Sequence, residues 1–327
     1  MKRFILSLLL VAPAAAEIQV RLSIKAILSS NGSWPSNTNT IGSTGVNLNS
    51  ETAVRDNVDW MNSVMREKRY PFRFFLREDT VYTISGQADP YYTMDARSSA
   101  TRNAIEDAAL DDKTTWKWHD DSINIYINDT RSGYCSRPTG GRSAITVGAG
   151  AYEELILHEI GHFFNLSHTH SGDGDGNADD WADGDGLSET LPDDADASAA
   201  DINAQYPGST QETRDNLIFN VMSYHQPQDR FVWQQRQEMI EVMNDERDPQ
   251  ASGEGFFLAD DGADSIFGVQ LSGRTYAQRL KTLENAVSKS TSSNDVILID
   301  GTIEVTDGAV FSTPHVWMKW RDDAILR

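Results

Sequence analysis

From residue 18 the chain alternates apolar and polar positions. Ile18, Val20, Leu22 and Ile24 fall on one side of the stretch IQVRLSIKAIL, so residues 18–28 predict a strand. Residues 29–49, rich in Ser, Asn, Gly and Thr, predict a loop. The period then changes: Val54, Val58, Met61, Val64 and Met65 recur at helical spacing, and Ser50 with Glu51 supplies a start, giving a helix to about Lys68. Strands are expected over 72–84 and 122–128, a short helix over 98–110, a Gly/Pro loop over 133–142 and a short strand over 143–147. Gly148, Ala149 and Gly150 then lead into residues 153–168, where Leu155, Ile156, Leu157, Ile160, Phe163 and Phe164 fill most positions of a buried helix. This order predicts an α/β (α+β) domain, with a twisted mixed sheet and the 153–168 helix packed beneath it.

Past residue 168 the pattern changes. No Lys or Arg occurs from Ser143 to Thr213, and residues 171–201 carry eleven acidic side chains. An apolar segment follows at 216–224, and 232–243 has helical propensity. Residues 249–264 read as a linker. Residues 276–288 read as a helix with Leu280, Leu283 and Val287 on one side, followed by short β stretches in DVILIDGTIEVTDGAVF and HVWMKWRDDAILR. A helix followed by short, evenly spaced strands resembles the start of a right-handed parallel β-helix. Two coils are fewer than a solenoid needs to bury a core, so a fragment of a longer solenoid, or packing against the preceding domain, is expected. The expected plan is a signal peptide (1–16), a catalytic domain (17–248), a linker (249–264) and a C-terminal helix-plus-β segment (265–327).

The first residues set the compartment. Lys2 and Arg3 precede an apolar run from Phe4 to Ala12, and Ala14–Ala16 offers small residues to a signal peptidase. Cleavage after Ala16 and a secreted protein, extracellular or periplasmic, are expected. The run is far short of the ~20 residues of a membrane span. A net charge of −21 argues against nucleic acid and anionic membranes as partners and leans slightly toward basic substrates. The lone Cys135 cannot form an intramolecular disulfide. It reads as inert, with a reactive thiol or a latency ligand as the alternatives.

The chemistry concentrates in HEIGHFFNLSH. His158 and His162 stand four apart, about 400° around a helix, so both imidazoles leave from one side. Two histidines and Glu159 on a buried helix are costly unless something uses them, and a zinc ion with its water would use all three. His168 follows His162 by six residues, about 600° of continued helix, which would aim it away. For His168 to join the same metal the helix must stop near Asn165, and Asn tolerates the left-handed backbone such a turn needs. His170 and Glu189 are the alternative third ligands. His119, His225 and His315 have no partner pattern and read as structural or exposed.

These residues resemble the HExxHxxGxxH motif of the metzincin metallopeptidases, with Asn165 in place of glycine. Met222, 54 residues after His168 within Val221-Met222-Ser223-Tyr224, is similar to the Met-turn of that group. Among metzincins the chain looks most like the pappalysins, through the NIYIND strand, the short strand before the helix and the GDGLSETLPDD segment. It lacks their paired cysteines. The resemblance covers roughly residues 18–245. It implies a secreted zinc endopeptidase acting on protein or peptide substrates. His158, His162 and His168 would ligate zinc, with Glu159 as general base and Met222 as an apolar floor. Tyr224 would ligate zinc at rest or hydrogen-bond the oxyanion. The alternative from another class is a non-catalytic, calcium- or zinc-stabilised surface binding module. Asp173, Asp175, Asn177 and Asp179 have the alternating spacing of calcium loops, with Asp183 and Asp185 as a second cluster, though the twelfth-position glutamate of an EF-hand is absent.

Overall fold

A computed structural model of the chain describes residues 17–37, 45–85, 90–171, 181 and 184–247. Beyond these it describes 250–252, 254–259, 261–263, 265–266, 269–270, 272, 274–289, 295–300, 302–303, 316–319 and 325–326. The expected signal peptide lies outside the described residues.

The first strand, β1 (Ile18–Ile27), belongs to an eight-stranded mixed sheet. Its apolar set Ile18, Val20, Leu22 and Ile24 is fully buried, and from Leu22 onward every residue is buried on both faces. The expected 29–49 loop ends in β2 (Gly45–Asn47). Next come α1 (Glu51–Glu67), β3 (Phe72–Leu76), β4 (Tyr82–Ile84) and α2 (Ser99–Asp111). Ser50 caps α1 as expected, its hydroxyl accepting from the Ala53 N–H at 3.2 Å. The expected 72–84 strand is broken between β3 and β4 by a turn in which Glu78 and Asp79 take positive φ. The sheet continues with β5 (Ile123–Arg131), β6 (Gly133–Cys135) and β7 (Ile145–Tyr152), and α3 (Leu155–Phe163) follows. The path is β2-β7-β5-β1-β3, so β1 lies between β5 and the edge strand β3. β3, β4 and β5 pair parallel to β1, and β7 is parallel to β5. β2 and β6 lie antiparallel to β7.

Two of these strands occupy sequence that reads as turn. β6 forms inside the expected Gly/Pro loop. β7 runs straight through Gly148–Gly150, where the sequence predicts a lead into the helix. The reason lies at the irregular register between β5 and β7 at Asn128 and Arg131. A Cβ on Gly148 would lie 2.2 Å from the Thr130 carbonyl carbon and the Arg131 nitrogen. Glycine here permits the close approach of two strands.

Helices cover both faces of the sheet. α1 and α3 share one apolar cluster with β1, β3, β5 and β7, in which Met61, Met65, Ile160 and Phe163 meet Ile18, Ile125 and Val147. α2 packs on the opposite face through Ile105 and Ala109, against Trp116 and Tyr126. Lys25 is fully buried on that side; its ammonium donates to Asn124 Oδ1 at 2.5 Å and lies 4.8 Å from the Tyr126 ring centroid. Burial drives its pKa well below the ordinary lysine range.

After α3 come α4 (Ala199–Gln205), α5 (Gln211–Ile218) and α6 (Trp233–Asp245). The expected linker carries two strands. β8 (Ala251–Ser252) pairs antiparallel with Gln19 and Val20, and β9 (Gly255–Ala259) is buried throughout. Then follow β10 (Ser265–Ile266), β11 (Val269–Gln270), α7 (Leu283–Lys289), β12 (Val296–Asp300), β13 (Thr302–Ile303), β14 (Val316–Lys319) and β15 (Ile325–Leu326). The helix expected over 276–288 is split into a 3₁₀ turn at Tyr276–Gln278 and α7. β9, β12 and β14 form a parallel three-stranded sheet, and β13 pairs parallel with β15. Phe257, Val296 and Leu298 join the apolar cluster that holds α3. Among the described residues no helix is long and apolar enough to cross a membrane.

Candidate active site

α3 presents His158 and His162 from one side, and the chain beyond it returns His168 to them. His168 Nε2 lies 3.1 Å from His158 Nε2 and 2.9 Å from His162 Nε2. The ligand atoms of the three lie within 4.8 Å of one another. The back of each helical imidazole is anchored: His158 Nδ1 faces the Val221 carbonyl at 2.6 Å, and His162 Nδ1 the Leu166 carbonyl at 2.7 Å. A carbonyl only accepts, so each Nδ1 carries the proton and each Nε2 keeps its lone pair for a metal. Burial, reinforced by the neighbouring rings, lowers the pKa of His158 to about 3. Burial likewise lowers His162 to about 4 and depresses His168 further still. All three are therefore neutral at pH 7, the form a metal requires. Neither His170 nor Glu189 enters this cluster.

The return of His168 depends on how α3 ends. Phe164 closes the helix and Asn165 takes a left-handed φ of 74°. Leu166 N–H donates to the Gly161 carbonyl at 3.0 Å and Asn165 N–H to the His162 carbonyl at 2.9 Å, which is the Schellman arrangement. Asn165 Nδ2 also reaches Glu238 Oε1 on α6 at 2.6 Å. An L-residue with no local hydrogen bond pays roughly 1–2 kcal/mol for this backbone. Asn165→Ala is therefore expected to lose about that much stability by denaturant titration at fixed zinc. Asn165→Gly, which removes the strain along with the Glu238 bond, is expected to fall between alanine and wild type.

Below the histidines, Met222 is fully buried. A Cβ on Gly161 would lie 2.3 Å from its sulfur, so the glycine between the two helical histidines makes room for the methionine. The turn around Met222 is held by buried amides. Asn220 Oδ1 accepts from Met222 N–H at 2.9 Å, and the Asn220 and Gln235 side chains exchange two hydrogen bonds of 3.0 and 3.1 Å. Thr169 N–H, one residue past His168, donates to the Met222 carbonyl at 3.1 Å. Asp193 completes this support: it faces His225 Nε2 at 2.7 Å and accepts from Thr169 Oγ1 at 2.5 Å. His225 is thus buried and partnered by Asp193. Nothing in its local sequence separates Asp193 from the other acidic residues of 171–201, so the sequence alone does not single it out.

Glu159 lines the same cleft and is buried. Its carboxylate accepts from the Cys135 N–H, and its Oε2 has no hydrogen-bond partner among the described residues. Burial raises its pKa to about 8, and the Cys135 bond opposes the rise. A cation at the histidines would favour the carboxylate. A buried acceptor without a donor beside three neutral imidazoles fits a divalent metal and its water. Gly133 on β6 admits this carboxylate, since a Cβ there would lie 2.8 Å from Glu159 Oε1. Tyr224 stands over the site, its ring centroid 4.2 Å from that of His170, 4.9 Å from His168 and 6.2 Å from His158. Unlike the three histidines, Tyr224 is 54 % exposed. The cleft has a volume of about 710 Å³ and runs along β6 and the turn after it, past the histidines to Tyr224 and Gln226.

Cys135 is buried in the wall of the cleft, and burial pushes its thiol pKa well up. Five expected calcium ligands, Asp173, Asp175, Asn177, Asp179 and Asp183, lie outside the described residues, as does His315. Asp185 is described, and its carboxylate is taken up by Leu187 N–H at 2.9 Å, Thr190 Oγ1 and Gln235 Nε2.

Residues 146–244 match the peptidase M43 family, described as pregnancy-associated plasma protein-A. No curated protein matches the chain. Among solved structures it is similar to mature mirolysin of Tannerella forsythia in complex with a cleaved peptide. That likeness has 13 % identity and a TM-score of 0.47 and covers 70 % of this chain and 92 % of the other. Mirolysin in complex with a compound aligns with 13 % identity and a TM-score of 0.49, over 72 % of this chain and 97 % of that one. The matched segment, under a third of the chain, holds the three histidines, Glu159 and Met222, and over it the chain is similar to the pregnancy-associated plasma protein-A family, which supports a metzincin zinc metallopeptidase.

Proposed function

We propose that the chain is a secreted zinc endopeptidase in which Glu159 is the general base and Tyr224 the oxyanion partner. The observation that carries this reading is the convergence of three histidine Nε2 atoms beside a buried carboxylate oxygen that has no hydrogen-bond partner among the described residues. His158, His162 and His168 would hold the zinc. Zinc, when bound, supplies a Lewis acid that brings a water toward neutral pKa and polarises a carbonyl. Glu159 then takes the proton of the attacking water on Oε2 and returns it to the leaving amine, while Cys135 N–H fixes the orientation of the carboxylate. The Tyr224 phenol donates to the oxygen on which charge develops, and the buried Met222 excludes water from beneath the site.

The test is zinc analysis of the purified protein, paired with cleavage of an unfolded protein substrate. One zinc per chain and Glu159-dependent cleavage are expected, and protein purified without stoichiometric zinc would count against the reading. Tyr224→Phe keeps the ring against His170 and removes the donor. It is expected to lower kcat by about 10²-fold, the low end for loss of an oxyanion donor, with zinc content unchanged. Secretion is checked by the mature N-terminus, expected at Glu17.

A further inference from the structure

The turn that follows β6 places in the cleft a cation that the proposed hydrolysis does not use. Arg137 is exposed and lines the cleft, and its Nη1 donates to Ser167 Oγ at 2.7 Å, immediately before His168. Among the described residues no carboxylate pairs with it. The other arginine of the wall, Arg97, is neutralised by Asp95 at 3.1 Å. Glu159 is the carboxylate among the described lining residues, and it is buried beside the histidines.

The turn bearing Arg137 is clamped. Buried Arg102 on α2 donates to Ser136 Oγ at 2.6 Å and pairs with Glu106 at 3.5 Å. Glu106 in turn accepts from Ser143 N–H at 3.0 Å, so one buried pair holds the turn on both sides of Arg137. The guanidinium has five N–H donors, and Ser167 uses one, leaving a fork that matches a carboxylate.

We propose that Arg137 binds a carboxylate of the peptide substrate beside the scissile bond, which makes it a specificity-determining residue of the cleft. The proposal rests on the endopeptidase reading above. The carboxylate is either an Asp or Glu side chain next to the cleaved bond or the free C-terminus of a short peptide. The field of a chain with net charge −21 repels acidic peptides at a distance. At physiological salt that field is screened beyond about 8 Å, so the contact with Arg137 decides the preference.

The experiment uses labelled, N-acetylated, C-amidated peptides that differ only in Glu, Gln or Lys at one position flanking the cleavable bond, together with free-acid versions. Binding is read by fluorescence polarisation on the zinc-loaded Glu159→Gln protein, and cleavage on the zinc-loaded wild type. The Glu peptide is expected to bind about ten-fold more tightly than the Gln peptide and to be cleaved about ten-fold faster at low concentration. Arg137→Met, checked for unchanged zinc content, is expected to abolish the difference, Arg137→Lys to keep part of it, and Arg137→Glu to shift the preference to Lys. A ten-fold gain confined to the free acids assigns the carboxylate to the C-terminus. Equal binding of all peptides, or a Glu preference that survives Arg137→Met, overturns the proposal. Selective binding without cleavage by the wild type supports Arg137 and counts against the endopeptidase reading, so the two fail separately.

Discussion

Glu159→Gln is expected to lower kcat/KM by about 10²–10⁴-fold, the usual contribution of a positioned general base, while zinc remains stoichiometric. Glutamine keeps the shape of the side chain and an acceptor for the Cys135 N–H but cannot take a proton from water. Steady-state cleavage and metal analysis on the same preparation check this. Equal loss of zinc and activity would assign Glu159 to holding the site together instead. The same variant has a second signature in metal-free protein. Burial raises the Glu159 pKa from 4.5 to about 8, so the folded state binds this proton more tightly than the unfolded state. For an acid raised in this way, the penalty is absent below pH 4.5 and grows as pH rises toward 8. The stability of metal-free wild type should therefore fall across that window relative to Glu159→Gln. Bound zinc, by favouring the carboxylate, should shrink the difference.

The helix that carries Glu159 was legible because its requirements are local. Spacing placed His158 and His162 on one side, and the angle left to His168 required a reversal near Asn165, where the structure has its left-handed residue. β1 and α1 were legible for the same reason: α1 and the first half of β1 each bury one periodic face, and Ser50 marks the start of the helix. What escaped depends on partners distant in sequence. Gly148 breaks strands in isolation, but in β7 it lies opposite the irregular register of β5, where another residue would collide. β6 is three residues long and exists through its pairing with β7. Asp193 looks like any residue of a solvated acidic run until Thr169 and His225 are folded onto it. The expected linker contains β8, whose pairing with β1 bridges more than two hundred residues of chain. Arg137 is one arginine among many in the sequence; its contact with Ser167 beside the third histidine emerges only from the fold.

Gly161→Ala is expected to cost about 3 kcal/mol of stability and to reduce zinc occupancy, although alanine is the better helix former. In an exposed helix the exchange would gain roughly 1 kcal/mol. Here the new methyl group would meet the Met222 sulfur at 2.3 Å and its terminal carbon at 3.3 Å. Met222 is fully buried and cannot swing away, so either α3 or the turn below it must move. Overpacking of a filled core typically costs 1–3 kcal/mol, and a contact this short belongs at the upper end. The displacement should reach the metal, because Val221, next to Met222, orients His158 and the Met222 carbonyl holds Thr169 beside His168. Met222→Ala alone opens a cavity and should cost about 2–5 kcal/mol. In the double variant the new methyl group occupies part of that space. Its cost should therefore fall short of the sum of the single costs by about 1–3 kcal/mol, measured by a denaturation cycle at fixed zinc. Additive costs would show that Gly161 and Met222 are not coupled, and that the methionine supports the histidines by some route other than contact with their helix.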